Sequence, residues 1–143
     1  MKNCCLDTHC NRCCTKTNMV LTYQDVQTIE KLGYNTDFFV ADLNNWFQLK
    51  NTKGRCVFHN GTICVIYDHR PEGCRLYPVV FQKDDGKAIL DNDCPQRHCF
   101  IITKEKSQQL LILIKTLENE RAERKQKKKT KNQKKASQIN HST

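Results

Sequence analysis

Apolar residues fall at helical spacing in two stretches of the chain and at strand spacing between them. In the first stretch, Val26, Ile29 and Leu32 share one helical face. Thr22 followed by Asp25 resembles a capping box, with Asp in place of the usual Glu, and Gly33 supplies a stop. The second stretch is longer, from Thr103 to about Glu123. Its stripe is Leu110, Leu111, Leu113, Ile114 and Leu117. Both stripes read as core, and Phe38, Phe39, Trp46 and Phe47 add aromatic bulk. Between the helices the pattern is one of short strands broken by turn residues. Trp46–Leu49 is the first strand, and 51–54 is a turn. Residues 55–58 and 63–67 flank His59-Asn60-Gly61-Thr62, a hairpin centred on Asn-Gly. Residues 77–82 and Lys87–Leu90 flank Asp84-Asp85-Gly86, a second hairpin. Pro71 and Pro78 punctuate the Cys74 segment, where a short turn or helical stub is expected. The fold class that follows is α+β: a small domain with an N-terminal helix, short antiparallel strands and a long C-terminal helix.

Length and charge refine this picture. The chain has 143 residues, enough for one domain. Its net charge is +9, and eight basic residues lie in 124–135, with nothing acidic after Arg124. This divides the chain into a cysteine-rich domain at 1–123 and a disordered basic tail at 124–143, helical at most where it starts. No window approaches the roughly 18 apolar residues of a membrane span, and the start, MKNCCLDTHC, lacks the apolar core of a signal peptide. The expected location is therefore cytoplasmic, with no membrane partner.

Ten cysteines, at 4, 5, 10, 13, 14, 56, 64, 74, 94 and 99, are the main chemical signal. A disulfide framework would need an oxidising compartment. In a reducing one, clustered thiols serve as metal ligands. Cys10-x-x-Cys13 is a knuckle that lets two thiolates approach one ion, whereas adjacent Cys13 and Cys14 diverge and suit two ions, or one cluster with a spare thiol. The same C-x-x-C could be a thioredoxin-like redox pair, but no βαβ pattern follows it.

Residues 54–78, GRCVFHNGTICVIYDHRPEGCRLYP, resemble the signature C-x-F-L … C-x-I-Y-x-x-R-P-x-x-C-R-x-Y-P of the YkgJ-like, or CxxCxxCC, cysteine-cluster family. Cys10-x-x-Cys13-Cys14, followed by Met19-Val20-Leu21-Thr22 and Asp25, resembles that family's first motif. Leu90-Asp91-Asn92-Asp93-Cys94-Pro95 resembles its closing motif. The resemblance covers about residues 5–102. It implies a zinc- or iron-chelating domain, including the case of an iron–sulfur cluster. Its metal ligands would be Cys5, Cys10, Cys13, Cys14, Cys56, Cys64, Cys74 and Cys94. Four residues separate Cys5 from Cys10 where the family has two, so Cys5 reaches through a longer loop or Cys4 or His9 substitutes for it. Cys4 and Cys99 are left as spare thiols. His59 stands at a position usually apolar in the family and reads as a solvated turn residue.

Arg70 and Arg75 match the motif and are expected to donate N–H groups to the thiolates, whose charge exceeds that of the metal. Pro71 would fix the turn that aims Cys74, and Tyr67 and Tyr77 read as packing residues whose hydroxyls find partners. Metal binding is the function this implies. One alternative is a metal-dependent enzyme related to the lysine N-methylases that carry a similar domain. No glycine-rich cofactor loop, Walker motif or H-x-x-x-H pair is present to support it. Another alternative is a nucleic-acid-associated module using the basic tail for weak, salt-sensitive contact. The tail lacks the interleaved aromatics of a base-stacking surface.

Overall fold

The computed structural model describes residues 14–141, with side chains to residue 131. Helix α1 (Tyr23–Lys31) is followed by a single turn of helix, α2 (Thr36–Phe39). Three antiparallel ribbons come next: β1 (Val40–Leu43) with β2 (Trp46–Leu49), β3 (Asn51–Thr52) with β4 (Arg55–Cys56), and β5 (Val79–Gln82) with β6 (Lys87–Leu90). A short helix, α3 (Glu72–Leu76), precedes β5, and the long helix α4 (Lys104–His141) closes the order. This is the expected α+β arrangement.

Local chemistry explains the element ends. Thr22 and Asp25 form the capping box: the Thr22 hydroxyl accepts from Asp25 N, and the Asp25 carboxylate accepts from Thr22 N, both at 3.0 Å. Gly33 lies at φ 102°, the left-handed conformation that ends a helix without a Cβ penalty. Strand β1 is absent from the sequence expectation. Its turn is made by Asn44 and Asn45, at φ 54° and 67°, and asparagine is the side-chain residue that best tolerates that region. The register runs Val40↔Leu49 to Leu43↔Trp46.

The Asn60-Gly61 turn forms, but its hairpin is short. It is held by a His59↔Cys64 bridge and by bonds from Asn60 N to Ile63 O (3.1 Å) and Val65 N to Phe58 O (2.8 Å). Arg55–Cys56 pairs instead with Asn51–Thr52 around Lys53-Gly54, where both residues have positive φ. Residues 67–69 turn into a 3-10 helix and leave the ribbon.

Two apolar clusters result. The first is Leu21, Ile29, Phe39, Leu49, Cys56, Phe58 and Ile66. The second packs Leu76 and Val79 beneath Leu110, Leu113 and Leu117 of α4. Leu32 and Leu111, expected in the core, are 40% and 46% exposed, because each lies at the margin of its stripe. None of the described helices is long and apolar enough to cross a membrane.

The 123/124 boundary cuts through a packed region, since α4 continues and Arg124 is only 8% exposed. Its Nε and Nη2 donate to Asn45 O at 2.9 and 2.6 Å, and the guanidinium lies 4.0 Å from the Phe47 ring centre and 5.3 Å from that of Tyr23. One turn earlier, Arg121 donates to Asn44 O and covers Trp46. The left-handed Asn-Asn turn aims two carbonyls outward, and the arginines of α4 grip them. Glu120 completes the contact by accepting from Tyr23 N at 2.9 Å, at the start of α1, where an anion is favoured.

Arg124→Ala should therefore cost about 2–4 kcal/mol, from lost charge-assisted bonds and ring contacts. Lys129→Ala, on the exposed side of α4, should stay within about 0.5 kcal/mol. Urea unfolding of both variants checks this. Burial raises the Glu120 carboxyl above its ordinary 4.5, against the opposing Tyr23 N–H and Arg124. The folded state thus holds that proton more tightly than the unfolded one. This contribution to stability should decline as pH rises upward from 4.5. Glu120→Gln should flatten that part of the stability–pH curve, as thermal melts across the range will show.

Candidate metal centre

The described candidate ligands arrive from separate elements. Cys14 begins the described chain. Thr15 bridges Arg55, the residue before Cys56, and Lys16 N donates to Gly54 O (2.9 Å), which ties the Cys14 segment to β4. Asn51 reinforces this contact with its side chain, accepting from Thr17 N at 2.9 Å and donating to Thr17 O at 2.7 Å. Cys56 lies on β4 and is 5% exposed, inside the first apolar cluster. Cys64 sits on the far arm of the Asn60-Gly61 turn, and Cys74 is the central residue of α3. Cys14, Cys64 and Cys74 all pack against the cluster that contains Cys56. Four of the expected ligands thus meet one apolar body from four segments.

Cys94 is also buried, at 3% exposure, but lies outside that cluster. It follows a turn in which Cys94 N donates to Asp91 O at 3.1 Å. Asp91 is held by the Tyr77 hydroxyl (2.7 Å) and donates its own N–H to Pro78 O (2.7 Å). Tyr77 thereby finds the expected hydroxyl partner. Cys14, Cys56, Cys64, Cys74 and Cys94 are thiols and not half-cystines. Cys99, expected as a spare thiol, is disulfide-bonded; it stands exposed at the end of the 97–99 turn, where a thiol is open to oxidation. Cys4, Cys5, His9, Cys10 and Cys13 lie outside the described residues. Among the described residues, no three His, Cys, Asp or Glu side chains form a group able to hold an ion.

His59 departs from its expected role as a solvated turn residue. It is 7% exposed, its N–H donates to Cys56 O (2.9 Å), and it is paired with Cys64. Its Nδ1 accepts from Gly61 N at 3.0 Å, which leaves Nε2 as the protonated nitrogen of the neutral ring. Burial, and secondarily the Arg55 charge, lowers its pKa. Arg70 donates from Nε to Tyr67 O (2.9 Å) and stacks over the Tyr67 ring at 3.8 Å, while Arg75 is exposed.

Three residues that seat α3 had no assigned site role in the sequence. Gly73 lies so close to Met19 that a Cβ there would run into the thioether sulfur. Asp25, beyond its capping box, accepts from Glu72 N at 3.0 Å. Met19 and Asp25 stand in the first sequence motif, but only the tertiary fold shows that both touch the Cys74 helix.

The CxxCxxCC family, described as "Putative zinc- or iron-chelating domain", matches residues 3–108. The chain belongs to that family. The match contains all ten cysteines, from Cys4 to Cys99. Searches of curated proteins and of solved structures found no match.

Gly73→Ala should destabilise the protein by about 1–3 kcal/mol through overpacking against Met19, despite a helix-propensity gain of up to about 1 kcal/mol. The penalty should shrink when Met19 is also truncated to Ala. A double-mutant cycle by denaturant unfolding reads the coupling directly.

Proposed function

We propose that this protein holds zinc or iron through cysteine thiolates, and that the metal joins chain segments that lie far apart in the sequence. The proposed ligands are Cys5, Cys10, Cys13, Cys14, Cys56, Cys64, Cys74 and Cys94, and an iron–sulfur cluster is one form the iron would take. The observation that carries this reading is the convergence of Cys14, Cys56, Cys64 and Cys74 on one apolar cluster, in a chain that belongs to the CxxCxxCC family. The donor set fits: soft thiolates select zinc, iron and iron–sulfur clusters over hard cations. An apolar wall beside them excludes water and strengthens their electrostatics. Arg70 and Arg75 are proposed to offset the negative charge of the thiolates, Arg70 from its seat on Tyr67.

The metal would supply structural cross-linking, and the residues divide the remaining work. Cys56 and its neighbours exclude solvent, the Asn60-Gly61 turn brings Cys64 back beside His59, and α3 presents Cys74. Structural thiolate sites contribute apparent binding energies of roughly 10–16 kcal/mol, comparable with the whole stability of a small domain.

Protein purified without oxygen should contain zinc or iron by elemental analysis, and a brown colour would identify iron–sulfur. A chelator should lower the melting temperature sharply, and Cys74→Ser should lose both metal and stability. Metal-free wild-type protein with a melting transition indifferent to chelator would overturn the proposal.

A further inference from the structure

Helix α3 carries Cys74 but has little means of holding its own shape. It spans five residues, Glu72–Leu76, far fewer than a helix needs to persist unaided. Its N-cap position is Pro71, which provides no side-chain cap. The first N–H groups of any helix need partners from outside it. Here the partner of Glu72 N is the Asp25 Oδ1 atom at 3.0 Å, from a residue 47 positions earlier.

The Asp25 carboxylate is itself immobilised. Its Oδ2 accepts from Thr22 N at 3.0 Å, and its own N–H donates to the Thr22 hydroxyl at 3.0 Å. Asp25 is 6% exposed, so water competes weakly for either oxygen. One anion therefore serves two helix starts, α1 and α3, each of which favours negative charge. The carboxylate cannot turn without breaking one of the two bonds. Met19 bears on the same helix from another side, against Gly73. Cys74 is only two residues from Glu72, so a shift of the helix start is passed to the thiol almost undiminished. Metal–ligand bonds tolerate about 0.2 Å of error.

We propose that Asp25 is the positioning residue of the Cys74 thiol, setting its place by capping α3 across the fold. This rests on the reading of Cys74 as a metal ligand. The role is distinct from simple helix capping, because Asp25 acts on a ligand-bearing element that its own helix does not contain.

Three variants separate the two roles. Thr22→Ala removes the hydroxyl cap of α1 and leaves the Asp25–Glu72 bond in place. Asp25→Asn keeps the shape of the side chain but presents an amide donor where one of the two backbone N–H groups stood. Glu72→Pro deletes the N–H that Asp25 accepts together with the Glu72 side chain, for which Glu72→Ala is the control; proline is tolerated at the first helical position, and Pro71, at φ −52° and ψ 151°, already has the backbone that a following proline requires. The metal-loaded full chain is challenged with a chelator, and the release rate is compared at matched loss of melting temperature.

Asp25→Asn and Glu72→Pro should release metal about 10–100-fold faster than wild type, and Thr22→Ala within about twofold. Equal release rates for all three, at equal stability loss, would overturn the proposal. If Asp25→Asn does not fold, Glu72→Pro alone decides. If wild-type protein holds no metal, the proposed function fails by that result. The positioning claim is then read from alkylation of the native thiols, followed by mass spectrometry. Glu72→Pro should change the rate at Cys74 and leave Cys64 unchanged, and an equal change at both would refute it.

Discussion

The described strands do not join into one sheet. They form three two-stranded ribbons, accompanied by isolated bridges such as Thr15↔Arg55 and Val20↔Gln48. A two-stranded ribbon is marginal in water by itself. Side-chain packing adds what the ribbons lack: the third ribbon packs in the second apolar cluster through Val79, Phe81, Ala88 and Leu90, and the first two meet in the first cluster. Its members include one cysteine, with three more packed against it. A thiol is a modest apolar group when protonated and a strong ligand when ionised. A small domain built this way gains most from a metal, because a single ion can do what a missing central sheet would otherwise do.

The elements that were legible in the sequence are those specified by local chemistry. The Thr22–Asp25 capping box, the Gly33 stop, the Asn60-Gly61 turn and the β5–β6 hairpin all form as expected. What escaped depends on partners far along the chain. Strand β1 has only a weak strand pattern, and it exists because Asn44 and Asn45 both take the left-handed conformation and fold it onto β2. Arg55–Cys56 had two possible partners, and the tight Lys53-Gly54 turn won over the longer Asn60-Gly61 connection.

The candidate site divides in the same way. Cysteine spacing and the motif identified the residue types, and four of the thiols do share one cluster. The burial of His59, the outward placement of Arg75 and the cross-fold bond from Asp25 to Glu72 are tertiary facts with no local signature. The basic run also carries two roles that composition alone merges. Arg124 is a buried clamp on the Asn45 carbonyl, and Lys128 pairs with Asp42 at 3.4 Å between exposed side chains, where little stability is at stake. Lys125, Lys127, Lys129 and Lys131 are exposed on the same helix. Charge density told where the basic residues were concentrated, and only packing told which of them belong to the fold.

The proposed role of the cysteines depends on a metal held by sulfur. X-ray absorption at the metal edge of protein purified without oxygen tests this most directly, since it reports the element and its nearest atoms together. The expected result is zinc or iron with a first shell dominated by sulfur at about 2.3 Å. A shell of nitrogen and oxygen alone, or no bound metal, would contradict it.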